Sequence, residues 1–305
     1  MLYNYRMNLK LGDNLNAAKA GMSFSATVAL YVCVSLVVSL IISSVGAEGD
    51  GVLYVNYLCS PLAIIFASAF SMYIGKMRVK EVAPAKCSIK YYLIALLLIF
   101  GLLFSLSYLN DALVSLLELC GYTPRASTLP SLEGWGLLGA IIVIAVIPAV
   151  AEEFIFRGIA FHNAQSGVGT VRAIFLTGFI FAIYHGSVEQ TLYQFICGCL
   201  FALLTARSGS LLPAVIVHFL NNAVILALNS FSLVTEAGSL AAPLWAEILI
   251  IVLSSVSLIA AVVLLITDKK ELVRGQKENV KDFFVWASLG IFVMALIWIT
   301  GLFGL

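Results

Sequence analysis

Long apolar runs fill this chain, and short polar intervals break them. Runs of 18 or more apolar residues recur along the sequence. A helix of 20 residues rises about 30 Å, the thickness of a bilayer's hydrocarbon core. The pattern predicts nine helical spans, over 23–46, 53–75, 91–118, 134–157, 171–187, 191–206, 210–229, 244–267 and 283–304. The first span is too long for the apolar stretch of a signal peptide and is followed at once by others, so we expect it to be retained. The fold class is therefore all-α, a polytopic transmembrane helix bundle forming one integral membrane domain over 1–305.

Composition agrees with this reading. Of 305 residues, 62% are apolar and only 11% charged, which excludes an ordinary soluble domain. The net charge of +1 gives no reason to expect a nucleic-acid partner. The placement of the charges says more. With the N-terminus inside and the C-terminus outside, the inner side holds 16 of 17 Lys and Arg residues, and only Arg125 falls outside. Two clusters dominate, Lys76, Arg78, Lys80, Lys86 and Lys90, then Lys269, Lys270, Arg274, Lys277 and Lys281. Such an excess marks the cytoplasmic side. Both connectors are expected to be solvated beside the lipid headgroups.

The six cysteines suggest no disulfide framework. Cys33, Cys59, Cys197 and Cys199 fall in apolar helices, where a thiol serves as a small hydrophobe. Cys87 and Cys120 flank spans on opposite sides. No internal repeat is evident.

Three polar islands interrupt the apolar helices, and ionisable groups at membrane depth are costly enough to suggest function. The first is Glu152-Glu153-Phe154-Ile155-Phe156-Arg157. Glu153 and Arg157 are i and i+4, stacked on one face in the favourable order for an ion pair. Glu152 is rotated roughly 100° away and must meet another neighbour. Pro148 cannot donate to the carbonyl of Ile144, which loosens the helix one turn upstream. The second island ends the fifth span, with Phe181 one turn before His185. In the third, Asn222 follows His218 at i+4, with Asn221 close by. The blander readings are a buried ion pair, an interfacial histidine and amides bridging neighbouring helices. His162 falls in an expected loop and receives no role.

The order EExxxR, FxxxH, HxxxN across consecutive spans resembles the CAAX prenyl protease and bacteriocin-processing (Abi) family of intramembrane proteases. The resemblance covers spans four to seven and points to a catalytic core of four helices over 134–230. It implies a glutamic endopeptidase that needs no metal and no other cofactor. Glu152 would be the general base, and His185 would help hold the water. His218 and Asn222 would form the oxyanion site, with Glu153 and Arg157 supporting the base. Its partners would be a peptide or protein substrate at the membrane and the lipid bilayer. The cell membrane is the expected location, as a multi-pass protein. The sequence shows no targeting extension and no retrieval signal, which favours a bacterial plasma membrane, with leader peptides or pheromone precursors as substrates.

Two other classes compete. Glu152, His185 and His218 could make a His₂Glu zinc site, although no HExxH presents two ligands from one helix. A scaffold, immunity protein or transporter could also bury polar groups along a pathway.

The span boundaries conflict with a shared site. Glu152 lies about 27 Å inward from Gly134, whereas His185 lies about 21 Å outward from Val171. The conflict eases if the fourth helix continues past Arg157 towards Ala164 and the fifth begins on the inner side. We then expect the turn 186–190 to stop short of the outer face. The catalytic level would lie in the inner half of the membrane, open to the cytoplasm.

Overall fold

The computed structural model describes residues 2–84, 86–124, 128–233, 240–275 and 279–303, with side-chain surroundings from residue 16 onward. Arg125 and Lys277 lie outside these residues. Among the described residues the long elements are helices: α1 (Leu2–Val45), α2 (Asp50–Gly75), α3 (Ile89–Leu119), α4 (Trp135–Val168), α5 (Thr170–Tyr184), α6 (Thr191–Ser208), α7 (Leu212–Ser230), α8 (Leu244–Ile266) and α9 (Val280–Leu302). Eight are long and apolar enough to cross a membrane. The remaining one, α5, has 15 residues and rises only about 22 Å. The protein is a multi-pass membrane helix bundle.

The fourth helix departs most from the expected boundaries. It runs past the boundary at 157 to Val168, as the expected continuation towards Ala164 requires, and spans 34 residues, about 51 Å. His162 therefore sits on a helix, not in a loop. Arg157 is buried inside the bundle rather than at an inner edge. Two π-helical turns, Ile141–Val146 and Phe154–Ala160, bracket Pro148 and the two glutamates. The Ile147 amide donates to the Ile142 carbonyl and the Phe161 amide to the Phe156 carbonyl, each five residues back. Such turns are rare and recur at functional sites.

Gly169 reverses the chain between α4 and α5 with φ +87°, a conformation open mainly to glycine. A Cβ there would also stand 2.6 Å from the Gly275 amide nitrogen. At this tip the Thr170 amide donates to the Val273 carbonyl at 2.9 Å, tying the hairpin to the connector before α9.

Two apolar cores share the interior. One joins α1, α4, α5 and α9 around Phe24, Phe156, Phe181 and Phe283. The other joins α3, α6, α7 and α8 around Leu98, Leu102, Phe201 and Val217. α6 contributes side chains to both. The polar islands meet on the seam between these cores.

Candidate active site

The tight reversal at Gly169 resolves the register conflict. Glu152 lies 17 residues before it and His185 16 residues after it, so an antiparallel hairpin sets them level. Their nearest atoms, Glu152 Oε2 and His185 Nε2, are 3.9 Å apart. Glu152 is only 8% exposed, and its Oε2 has no hydrogen-bond partner in the protein. Nδ1 of His185 is 2.8 Å from the Phe181 carbonyl. A carbonyl only accepts, so Nδ1 carries a proton, and Nε2 is the ring nitrogen turned towards Glu152.

The adjacent carboxylate is held differently. Arg157 donates to Glu153 Oε1 at 2.8 Å, and His218 Nδ1 meets the same oxygen at 2.9 Å. Glu153 is fully buried, and Arg157 is 1% exposed. The guanidinium lies over the Phe181 ring, 4.0 Å from its centroid, with Phe201 at 5.2 Å. A desolvated cation on an aromatic face gains about 2 kcal/mol or more. The Phe181 ring thus covers the arginine while its own carbonyl orients His185. Phe201 also packs against His218, with ring centroids 5.7 Å apart.

Close helix packing brings α6 into this cluster. A Cβ on Gly198 would stand 2.8 Å from the Gly178 Cα, so α5 and α6 touch backbone to backbone. That approach lets the Gly198 carbonyl accept from Arg157 at 3.4 Å.

Asn222 takes another partner. Its Nδ2 donates to the Ile144 carbonyl at 3.3 Å, the acceptor that Pro148 leaves without its helical donor. Asn221 accepts from the Tyr193 hydroxyl at 2.7 Å and approaches Asn222 Oδ1 at 3.5 Å. Among the described residues, then, Glu152, Glu153, Arg157, His185 and His218 form one linked cluster. Asn222 sits beside it, fastening the break in α4.

Sequence reasoning missed the contact of His218 with Glu153, the Phe201 ring, the glycine pair and Tyr193. Each arises between helices, and no spacing within one helix signals it. Tyr184 was also missed; its hydroxyl lies 2.9 Å from Ser60 on α2, beside the cluster.

Neighbouring helices give the depth of the cluster. Ser60 is about 15 Å from the start of α2 and about 22 Å from its end. His218 is about 9 Å from the start of α7 and about 18 Å from its end. By α2 the cluster is nearer the end away from the basic connectors, and by α7, whose start is tied to Pro84, it is nearer the end that bears them. The turn 186–190 meets the loop between α3 and α4. Glu189 accepts from Tyr122 at 2.6 Å, in the loop between α3 and α4 that the charge pattern assigns outside.

Among the described residues, no group of three or more His, Cys, Asp or Glu side chains is arranged to hold a metal ion. All six cysteines are free.

Residues 134–224 match the family model described as Type II CAAX prenyl endopeptidase Rce1-like. The match covers 91 of the 305 residues. It contains all three motifs and both π-helical turns of α4. No curated protein and no solved structure matches the chain. The likeness to this family model supports a CAAX-type intramembrane protease in general terms. A peptidase of that kind acts on a peptide or protein, and the helix bundle requires a lipid bilayer.

Proposed function

We propose that the protein is a glutamic intramembrane endopeptidase whose catalytic core is 134–230. The observation that carries this reading is the Glu152 carboxylate, buried and without a protein partner at Oε2, facing Nε2 of His185 3.9 Å away. A water about 2.8 Å from both atoms could give one hydrogen to each. Its oxygen lone pairs would then be free to attack a peptide carbonyl.

In this mechanism Glu152 takes the proton as the water oxygen bonds to the carbonyl carbon. The C=O electrons move onto oxygen, forming an oxyanion. His218 stands ready to support that charge, because Glu153 occupies its Nδ1 and leaves Nε2 free. In the protonated ring Nε2–H is a donor, and the second hydrogen on Asn222 Nδ2 is another. One such donor is worth on the order of 10²–10³ in rate. Collapse of the intermediate breaks the C–N bond, and Glu152 returns its proton to the leaving amine. The pair of Glu153 with Arg157 fixes His218 and the π-helical turn that carries Glu152. The site needs no metal for any of these steps.

Peptides that partition into the membrane, such as leader peptides or pheromone precursors, are the substrates that suit a buried site of this kind. The test is cleavage of membrane peptides by purified protein in lipid, comparing wild type with Glu152→Gln, each with and without chelator. The expected result is wild-type cleavage that survives chelation and vanishes in the variant. Cleavage restored only by zinc would overturn the reading, as would a fully active Glu152→Gln protein.

A further inference from the structure

A second cleft lies on the surface where the first turn of α3 meets the end of α8. Leu93, Leu97 and Leu264 form its apolar wall, and Lys90, Lys269 and Lys270 stand at its polar mouth. Leu93 and Leu264 are 58% and 48% exposed, so the wall faces the membrane rather than the core.

The mouth is built, not merely charged. Asp268 is the one acidic residue lining it. Its carboxylate accepts from Lys90 Nζ at 2.7 Å, Tyr91 Oη at 3.0 Å and the Lys270 amide at 2.9 Å. Its side chain is 5% exposed, whereas that of Lys90 is 54% exposed. Three lysines against one carboxylate leave the mouth with a net positive charge, although Lys90 is paired with Asp268. From behind, the buried Arg207 donates to the Ile266 carbonyl at 3.1 Å and to the Lys270 carbonyl. The connector that carries Lys269 and Lys270 is fixed in place by both sets of bonds.

A ligand for this cleft needs an acidic head and an apolar tail. We propose that the cleft between α3 and α8 binds one anionic phospholipid, its phosphate at Lys269, Lys270 and Lys90 and an acyl chain along Leu93, Leu97 and Leu264. Basic pockets between membrane helices on the side rich in Lys and Arg suit acidic headgroups. The inference does not depend on the proteolytic reading.

Native mass spectrometry of delipidated full-length protein tests it. The protein is offered phosphatidylglycerol, phosphatidylcholine or inorganic phosphate. Wild type should retain one phosphatidylglycerol per chain in preference to phosphatidylcholine, and inorganic phosphate should neither bind nor displace it. At about fivefold per lysine, Lys269→Gln with Lys270→Gln should cut that preference roughly 25-fold. Lys80→Gln with Lys281→Gln, exposed lysines outside the cleft, should leave it unchanged. Equal retention of both lipids would overturn the proposal. So would binding of phosphate alone, or equal losses in the two double variants, which would indicate diffuse attraction to the surface.

Discussion

Two adjacent carboxylates can have opposite fates when a helix turns them to different neighbours. Glu153 is held by a guanidinium and an imidazole on one oxygen, whereas Glu152 Oε2 has no hydrogen-bond partner and lies 3.9 Å from His185 Nε2. Glu152→Gln should therefore abolish cleavage while thermal unfolding stays near wild type. Glu153→Gln should instead lose about 3–5 kcal/mol, because a buried cation then lacks its counter-charge. Arg157→Leu should also destabilise, and the two changes should be non-additive in a double-mutant cycle because they share one interaction. Denaturation and cleavage rates on wild type, the three single variants and the double variant decide this. A folded, inactive Glu153→Gln beside an active Glu152→Gln would reverse the roles.

At the scale of elements, the cluster depends on how closely α5 and α6 approach. The two nearest atoms that a Cβ on Gly198 would meet are backbone, Gly178 Cα at 2.8 Å and its carbonyl oxygen at 3.1 Å, so neither can swing aside, and the Phe181 ring follows at 3.3 Å. Gly198→Ala should cost about 1–3 kcal/mol as overpacking. It should also draw the Gly198 carbonyl away from Arg157, so activity should fall with stability. Thermal unfolding and cleavage measured together check both. A variant as stable as wild type would mean that the helices are less tightly apposed than described. The break at Pro148 works in the same way, since a carbonyl without its helical donor recruits Asn222 from α7.

For the whole molecule, the distribution of charge sets orientation and acid sensitivity. Cys87 and Cys120 flank opposite ends of α3, and Cys120 is exposed. With the basic connectors inside, an impermeant maleimide on intact cells should label Cys120 and spare Cys87. The reverse pattern would invert the topology. The connectors also carry a titrating contact. Burial alone would push the Asp268 carboxyl up, but hydrogen bonds from Lys90, the Lys270 amide and Tyr91 outweigh it and hold it at about 2. An unfolded Asp titrates near 3.9, so the contact stabilises the fold above that pH. Its contribution fades as pH falls through about 2. The gap in melting temperature between wild type and Asp268→Asn should be full at pH 6 and shrink between about pH 4 and pH 2. A gap that stayed constant over that range would rule this out.

What the sequence determined by itself are properties of single helices. Apolar runs marked the helices, because a bilayer demands continuous apolar length. The i, i+4 spacing set Glu153 against Arg157 and turned Glu152 away, because helical periodicity fixes which side chains share a face. Only the tertiary structure decided which groups meet across helices. The register conflict already required α4 to continue past Arg157, and the reversal at Gly169 then levelled Glu152 with His185. His218 joined Glu153 rather than pairing with Asn222, and Asn222 went to the Ile144 carbonyl. Phe201, Gly198 and Tyr193 entered the site unannounced. These contacts join positions up to 78 residues apart. They depend on helix ends and crossing points, which the periodicity of one helix does not encode.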